Sequence, residues 1–130
     1  METKIYWLEL GELAKNEMVD LTPRVNELIQ RSGLKRGIAA VASPSSTTAI
    51  TTVEYEPGLI HDIPAYLEKL FGGDAGDETR TAAIKSAFMP PMLSLPFEDT
   101  RLILGRWQQL TVLELSGSSN VRVAVALLGE

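Results

Sequence analysis

The chain has 130 residues, 45% of them apolar, which is enough for one domain with its own hydrophobic core. Its net charge of −5 and sequence pI of about 4.9 argue against a nucleic-acid or anionic-membrane partner, because both attract clustered Lys and Arg. The absence of cysteine excludes disulfides, thiol nucleophiles and cysteine-ligated zinc sites. We therefore expect a single domain over residues 1–130.

The sequence shows no targeting or membrane-spanning pattern. The start, METKIYWLEL, lacks the basic stretch and apolar core of a signal peptide. The apolar run VAVALLG at residues 123–129 is far shorter than the ~18 residues that a membrane-spanning helix needs. We predict a cytoplasmic protein that contacts no membrane.

A strand and a helix are predicted at the beginning of the chain. In residues 4–12, aromatic and branched side chains alternate with charged ones, which is typical of a strand. Residues 20–33 give the clearest helix, with Thr22 as its predicted N-cap and Gly33 as its left-handed C-cap. The stripe of that helix that we expect to be buried consists of Val25, Leu28 and Ile29.

Two strands and a second helix are predicted next. A small, apolar run without helical periodicity indicates a buried strand at residues 37–43. Residues 49–56 form a second predicted strand, which we expect to pair with the first through the PSS turn. A helical pattern covers residues 58–73, but Pro64 lies inside it. Because proline disrupts a helix interior, we expect this helix to begin near Ile63.

The last part of the chain is predicted to contain a short helix and three strands. A glycine-rich acidic loop at residues 73–80 leads into a helix over residues 81–88, which ends before two prolines. The three strands are expected at residues 92–99, 101–115 and 121–128. Strands interrupted by isolated helices are typical of an α+β fold rather than a doubly wound parallel sheet.

Residues 44–58, PSSTTAITTVEYEPG, contain the first candidate site. Because side chains alternate between the faces of a strand, we expect one face to carry Thr48, Ile50, Thr52, Glu54 and Glu56. The more apolar opposite face, from Ala49 to Tyr55, is expected to point into the core. Glu54 and Glu56 would lie about 7 Å apart, and paired carboxylates serve in acid–base catalysis or bind a metal. The simpler alternative, which the pattern favours, is a solvated face of a sheet.

Nucleophile and phosphate-binding motifs are not found in the sequence. The single histidine, His61, precedes Asp62, and a catalytic triad could be written only with Ser46. Adjacent His and Asp side chains do not easily reach the orienting geometry of a triad, so we do not expect a serine nucleophile. One histidine cannot form a multi-histidine metal site, and no glycine-rich phosphate-binding motif begins a helix.

The stretch LGRWQQ contains the second candidate site. Gly105 inside a strand pattern predicts a β-bulge, which would redirect Trp107 and Gln108. The tryptophan could then stack on a flat ligand while the glutamine amide hydrogen-bonds to it. A core tryptophan beside a satisfied glutamine at a sheet edge is the simpler alternative.

The order of these segments resembles that of the YjbQ family. The resemblance covers nearly the whole chain from about residue 18, and its most specific part is the pattern LxLGxWQxxxxxEL, at residues 102–115 here. The residues carried over from that pattern are Gly105, Trp107, Gln108 and Glu114. Further matching segments are DLTPRV, STTAITTVEYEPG and VRVAVALLGE.

The resemblance implies a compact α+β domain with a β-sandwich and two or three helices. It also implies a homotrimer whose sheets pack around a threefold axis. Members of the family are commonly labelled secondary thiamine-phosphate synthases, which suggests phosphoryl or pyrophosphate chemistry on a small molecule.

The sequence departs from the family at the histidines that suit a metal site. Ser46, or Pro44 without an alignment gap, stands where members have a histidine before two hydroxyl residues. Ala83 stands in the place of another histidine, whereas Lys85 is retained. Serine and alanine neither bind zinc nor transfer protons near neutral pH, so we expect no histidine-based metal site.

Three functional hypotheses remain open. In the first, the protein binds a small polar or phosphorylated metabolite in a cleft near Glu54, formed by Ser46, Thr47, Thr48, Gly105, Trp107 and Gln108. In the second, it is an enzyme for thiamine-phosphate or phosphate-ester chemistry, with Glu54 or Glu114 as base and Lys85 as the anion contact. In the third, it is a structural homo-oligomer without catalysis. We expect no resident cofactor, although the carboxylates could bind Mg²⁺ weakly.

Overall fold

The structure is a computed structural model, and it describes residues 1–72 and 77–130. These residues form two antiparallel sheets and three helices. In chain order the elements are β1 Glu2–Leu13, β2 Met18–Asp20, α1 Thr22–Ser32, β3 Gly37–Ala42, β4 Thr48–Glu54, α2 Pro57–Phe71, α3 Glu78–Phe88, β5 Met92–Glu98, β6 Arg101–Leu102, β7 Gln108–Glu114 and β8 Ser118–Gly129. The predicted α+β class is confirmed.

The five-stranded sheet, in the order β1-β8-β3-β5-β6, buries only one of its faces. Alternate residues of β8, from Val121 to Leu127, are at most 4% exposed and pack into the main core. On the opposite face Leu128 is 43% exposed. This alternation is characteristic of an antiparallel sheet with one face in the core and one outside it.

The three-stranded sheet, in the order β2-β7-β4, packs against apolar clusters on both faces. Ile50 and Val112 belong to the main core, together with α1 and the larger sheet. Leu113 and Leu115 belong to a second cluster, which they form with residues of α2 and α3. The predicted burial of the Ala49–Tyr55 face is confirmed at Ala49, which is 0% exposed, but the opposite face is not simply polar and solvated, since Ile50 is also 0% exposed.

Strands β3 and β4 do not pair, contrary to our prediction, because β8 and β5 occupy both edges of β3. Strand β4 pairs instead with β7, from Thr48 opposite Glu114 to Glu54 opposite Gln108. Residues 43–47 therefore cross from one sheet to the other. This crossing brings their hydroxyl groups to one end of the sandwich.

Helix α1 buries the predicted stripe and ends at Gly33, whose φ of 79° is left-handed as expected. Thr22, however, is the first helical residue rather than the N-cap. Its hydroxyl instead accepts a hydrogen bond from the backbone N–H of Leu110 at 2.8 Å. The threonine thus fastens the helix to β7.

Helices α2 and α3 both begin earlier than predicted. Helix α2 starts at Pro57 rather than near Ile63, because the Glu56 carboxylate caps it by accepting from the amides of Gly58 and Leu59 at 2.5 and 3.2 Å. Pro64 lies inside this helix. Helix α3 starts within the predicted loop at residues 73–80, of which residues 73–76 lie outside the described residues.

The predicted strand at residues 101–115 is two strands, β6 and β7, separated by a turn. Gly105 lies in that turn rather than in a β-bulge, and its carbonyl accepts a hydrogen bond from the Gln108 amide at 3.1 Å. Chain reversal here places Trp107 outside both sheets, and its side chain is 65% exposed.

Candidate functional site

The predicted site residues lie in three separate places. Strand β4 runs from Thr48 to Glu54, six residue steps (54 minus 48), which is about 20 Å at ~3.3 Å per residue. Ser46 and Thr47 lie just before its beginning, whereas Gln108 is paired with its end. Within one chain these residues therefore do not form the single cleft that we predicted.

A polar pocket of about 180 Å³ lies at the Thr48 end of β4, and we call it the hydroxyl pocket. Its polar lining residues come from the crossing between the sheets and from the beginning of β8: Ser43, Ser45, Thr48, Ser118, Asn120 and Arg122. The hydroxyls of Ser43 and Thr48 share a short hydrogen bond inside the protein. Ser46 is exposed beside this pocket.

Glu114 is not one of the lining residues of the hydroxyl pocket, but it bonds to near neighbours of them in the sequence. It is 0% exposed and stands opposite Thr48 in the β4–β7 register. Its Oε1 accepts from the Thr47 hydroxyl at 3.0 Å and from the Ser116 amide and hydroxyl at 3.2 and 3.4 Å. Its Oε2 is buried and has no hydrogen-bond partner among the residues that the structure describes.

Arg122 is held at the edge of the hydroxyl pocket by two contacts with β1. Its Nε donates to Glu9 at 2.9 Å, and its guanidinium lies 4.1 Å from the centre of the Trp7 ring. A guanidinium fixed by a carboxylate and an aromatic face retains further N–H donors in a defined direction. Such a group can bind an anion without first losing much side-chain freedom.

The Gln108 turn, residues 105–108, lies at the other end of β4. The Gln108 side chain donates to the Thr52 hydroxyl at 2.9 Å, and its carbonyl oxygen accepts from the Gly105 amide at 2.9 Å. Both ends of this amide are therefore used to close the turn. Arg106 stacks 5.1 Å from the centre of the exposed Trp107 ring.

Neither of the paired carboxylates that the sequence suggested points into a cleft. Glu54 is exposed at the end of β4, and Glu56 caps α2. Since Glu54 and Glu114 lie at opposite ends of β4, they cannot share a Mg²⁺ ion within one chain.

Lys85 lies in a third place, between α3 and α2. It is 1% exposed and forms an ion pair with Glu68, which is itself 39% exposed. Lys15 approaches the same Glu68 carboxylate at 3.5 Å and Glu78 at 3.2 Å. The hydrogen bond from Lys85 lowers the pKa of Glu68, and burial only partly opposes it. Lys85 is thus engaged with a helix carboxylate rather than with either end of β4.

His61 lies on the surface. Its side chain is 84% exposed, and its Nδ1 is 3.2 Å from the Asp62 carboxylate. Over residues 1–72 and 77–130, no three His, Cys, Asp or Glu side chains come together as a metal site. No helix in these ranges is long and apolar enough to cross a membrane.

Sequence reasoning missed four lining residues of the hydroxyl pocket: Ser43, Ser118, Asn120 and Arg122. Ser118 and Asn120 belong to the segment SGSSN, which lies between the predicted strands at residues 101–115 and 121–128. The pairing of Glu9 with Arg122 in the β1–β8 register positions the guanidinium, and that register is a long-range property. Local patterns therefore gave no signal for this part of the site.

The chain is similar in sequence and in structure to known proteins. A family model described as UPF0047 protein YjbQ-like matches residues 7–130. A UPF0047 protein of Archaeoglobus fulgidus is 31% identical over 93% of this chain and 98% of its own length. One from Methanothermobacter thermautotrophicus is 29% identical over 100% of this chain and 95% of its own length.

Among solved structures, a YbjQ-like protein of unknown function from Sulfolobus solfataricus matches with a TM-score of 0.87 at 28% identity, covering 99% of this chain and 100% of that one. A YjbQ/UPF0047 protein from Clostridium acetobutylicum matches with a TM-score of 0.84 at 28% identity, covering 96% and 99%.

Proposed function

This chain belongs to the UPF0047 YjbQ-like family, and we propose that it binds a small polar or phosphorylated metabolite in its hydroxyl pocket, without a histidine metal site. The observation that carries the proposal is the lining of this pocket. Three serines, one threonine, one asparagine and one arginine line it, from the crossing between the sheets and from the beginning of β8. Their hydroxyl, amide and guanidinium groups are able to donate hydrogen bonds to the oxygen atoms of phosphate and carboxylate groups.

The size of the pocket limits the ligand. Its volume of about 180 Å³ is below the ~300–1,000 Å³ of common small-molecule pockets. The part of the ligand inside the pocket is therefore small, such as a phosphate group with a short carbon chain.

The test is a calorimetric titration of the purified protein with glycerol phosphate and inorganic phosphate, repeated for Arg122→Gln. Arg106→Gln is the matched control, because Arg106 also stacks on a tryptophan but lies at the Gln108 turn. We expect about a tenfold loss of affinity for Arg122→Gln and no change for Arg106→Gln. Equal affinity in all three proteins, or no binding at millimolar ligand, would contradict the proposal.

An enzymatic role in thiamine-phosphate or phosphate-ester chemistry is the second candidate, favoured by the partly unpaired Glu114 carboxylate. A general base must lie within hydrogen-bond reach of the proton that it removes, and Glu114 bonds to Thr47, which lies between the lining residues Ser45 and Thr48 in the sequence. Glu54, at the far end of β4, and Lys85, paired with Glu68, lie apart from it. Turnover of a hydroxymethylpyrimidine diphosphate with a thiazole phosphate, lost in Glu114→Gln, would support this role.

We also propose that the protein forms a homotrimer through the outer face of its five-stranded sheet. Ile38 and Leu128, paired in register, are 49% and 43% exposed, and Trp7 and Ile5 on β1 are 46% and 64% exposed. The same face of the sheet also carries small residues, such as the paired Ala42 and Ala124. An apolar sheet face of this kind is typical of a protein interface.

Light scattering after size-exclusion chromatography tests the trimer. Ile38→Lys is expected to yield monomers, because it places a charge in the middle of this face. The control is Leu70→Lys on α2, where the leucine is 72% exposed but far from the sheet, and it should leave the mass of a trimer unchanged. A wild-type protein that is monomeric at micromolar concentration would exclude the proposal.

A further inference from the structure

Arg122 is the only ionisable side chain among the described residues that line the hydroxyl pocket. The other polar groups of the lining are the hydroxyls of three serines and a threonine and the amide of Asn120, all of them uncharged. These residues come from the crossing between the sheets and from the beginning of β8, so none of them adds the partial positive charge of a helix N-terminus. The lining therefore offers a ligand one formal positive charge.

The charge of Arg122 is partly offset by Glu9. The two residues are opposite each other in the β1–β8 register, and the Glu9 carboxylate accepts from Nε of Arg122 at 2.9 Å. A ligand can use the N–H groups of the terminal guanidinium nitrogens. An oxygen of the ligand bound there lies at most about 8 Å from the Glu9 carboxylate, because a hydrogen bond of ~2.9 Å lies on each side of the guanidinium. That distance does not exceed the screening length of ~8 Å at physiological ionic strength, so the ligand experiences the negative charge of Glu9.

The charge of the ligand enters its free energy of binding in two ways. Attraction to the guanidinium rises in proportion to that charge, but repulsion from Glu9 rises in the same proportion and cancels part of it. The cost of removing the ligand from water rises with the square of its charge. Sites for doubly charged phosphates therefore commonly combine several cations with a helix N-terminus or a metal ion. The described lining provides a single arginine instead.

Building on the proposed function, we propose that the ligand is a small hydroxylated acid with one negative charge, of the hydroxycarboxylate class. Its carboxylate binds the terminal nitrogens of Arg122, for which a planar carboxylate is a bidentate partner. Its hydroxyl groups bond to the uncharged side chains of the lining. A doubly charged phosphate ester binds in the same pocket more weakly, and the net charge of −5 of the chain acts in the same direction.

Three probes that share a polyol stem test this inference by calorimetric titration at pH 8 and constant ionic strength: glycerate, glycerol sulfate and glycerol phosphate. At this pH the phosphate ester carries close to two negative charges, because its second pKa is about 6, whereas the equally tetrahedral sulfate ester carries one. The wild-type protein should bind glycerate and glycerol sulfate about tenfold more tightly than glycerol phosphate. Glycerol sulfate that binds no more tightly than glycerol phosphate would overturn the inference, since the preference would not follow charge. This comparison needs no variant.

A variant of Glu9 tests the origin of the preference. Glu9→Gln removes the negative charge and keeps an oxygen that accepts from Nε of Arg122, so it should tighten glycerol phosphate about threefold more than glycerate. Glu2→Gln is the matched control, because Glu2 is a carboxylate at the other end of β1, opposite Gly129, and its ratio of affinities should equal that of the wild type. A wild-type ratio in Glu9→Gln would overturn the electrostatic argument and the inference with it.

The results separate this inference from the proposed function. Glycerol phosphate that binds as tightly as the two singly charged probes, or more tightly, contradicts the inference alone, because a small phosphorylated ligand is still bound. Binding of none of the three probes at millimolar concentration contradicts both.

Discussion

The two ends of β4 contain similar polar groups in very different states. At the Gln108 turn, the side-chain amide donates to Thr52 and accepts from Gly105, so its partners lie within the chain. At the Thr48 end, one oxygen of Glu114 takes three donors and the other takes none from the residues that the structure describes. A satisfied polar group stabilises the fold, whereas a buried one without a partner costs stability.

The difference between the two ends of β4 shows that one sequence pattern can contribute residues to two separate places in the fold. The pattern LxLGxWQxxxxxEL contains both Gln108 and Glu114, but these residues are the first and last of the same strand, β7. An extended strand separates them by about 20 Å. The motif thus supplies an amide that closes a turn at one end and a buried carboxylate at the other.

The largest expected effect comes from Lys85, which belongs to neither end of β4. Lys85→Ala should lower the free energy of unfolding by about 2 to 4 kcal/mol, because it opens a cavity and leaves Glu68 without its buried partner. The loss is smaller than for a fully buried pair, since Glu68 is 39% exposed and Lys15 also approaches it.

Urea denaturation measures this loss, and Lys85→Met, which keeps most of the side-chain volume, is the control with a smaller loss. Both variants should bind glycerol phosphate as the wild type does. A well-folded Lys85→Met protein without phosphate binding would break the comparison, because it would connect Lys85 to the hydroxyl pocket.

A pair of variants, one at each end of β4, tests the comparison at intermediate size. Gln108→Ala removes two hydrogen bonds that close the turn, and should cost about 1 to 2 kcal/mol of stability while leaving glycerol phosphate binding intact. Glu114→Gln removes a buried charge and keeps an acceptor at Oε1, so its stability should remain within about 1 kcal/mol of the wild type. Thermal unfolding of both variants, and titration of Gln108→Ala with glycerol phosphate, check these expectations. The comparison is wrong if Glu114→Gln is the less stable of the two.

The features predictable from sequence were those encoded locally. The stripe of Val25, Leu28 and Ile29 follows from helical periodicity, and Gly33 from the need for a left-handed backbone at the helix end. The beginning of α2 was missed because Pro64 was expected to exclude a helix before Ile63, whereas the helix begins at Pro57, is capped by the Glu56 side chain and contains Pro64. The rule on proline was given more weight than the capping carboxylate at Glu56.

The site depended on contacts between distant segments. Which strands occupy the edges of β3 decides where residues 43–47 cross between sheets, and strand pairing of this kind has no local signature. Arg122 became a candidate only because the register of β8 with β1 places it beside Glu9. Ser46 to Thr48 and Glu114 were predicted from the resemblance, and the structure brings Thr47 and Glu114 into contact at 3.0 Å.

The smallest expected effect distinguishes Glu68, a carboxylate with cationic partners, from Glu114, which has neutral ones. The hydrogen bond and charge of Lys85 hold the pKa of Glu68 below its ordinary value, with a further contribution from Lys15. A carboxylate whose pKa is lowered by folding stabilises the protein above its unfolded pKa of about 4.3, and this contribution disappears as the pH falls through the folded value.

Glu68→Gln should therefore be less stable than the wild type at pH 7, by less than about 1 kcal/mol because the group is partly exposed. The difference should narrow as the pH falls below the unfolded pKa of about 4.3 and through the lower folded value. Urea denaturation at pH 7 and pH 3 measures it, with Glu27→Gln on the exposed side of α1 as the control. A difference that stays constant or grows on acidification would mean that the lysines do not stabilise the ionised form of Glu68, and the contrast with Glu114 would lose its electrostatic basis.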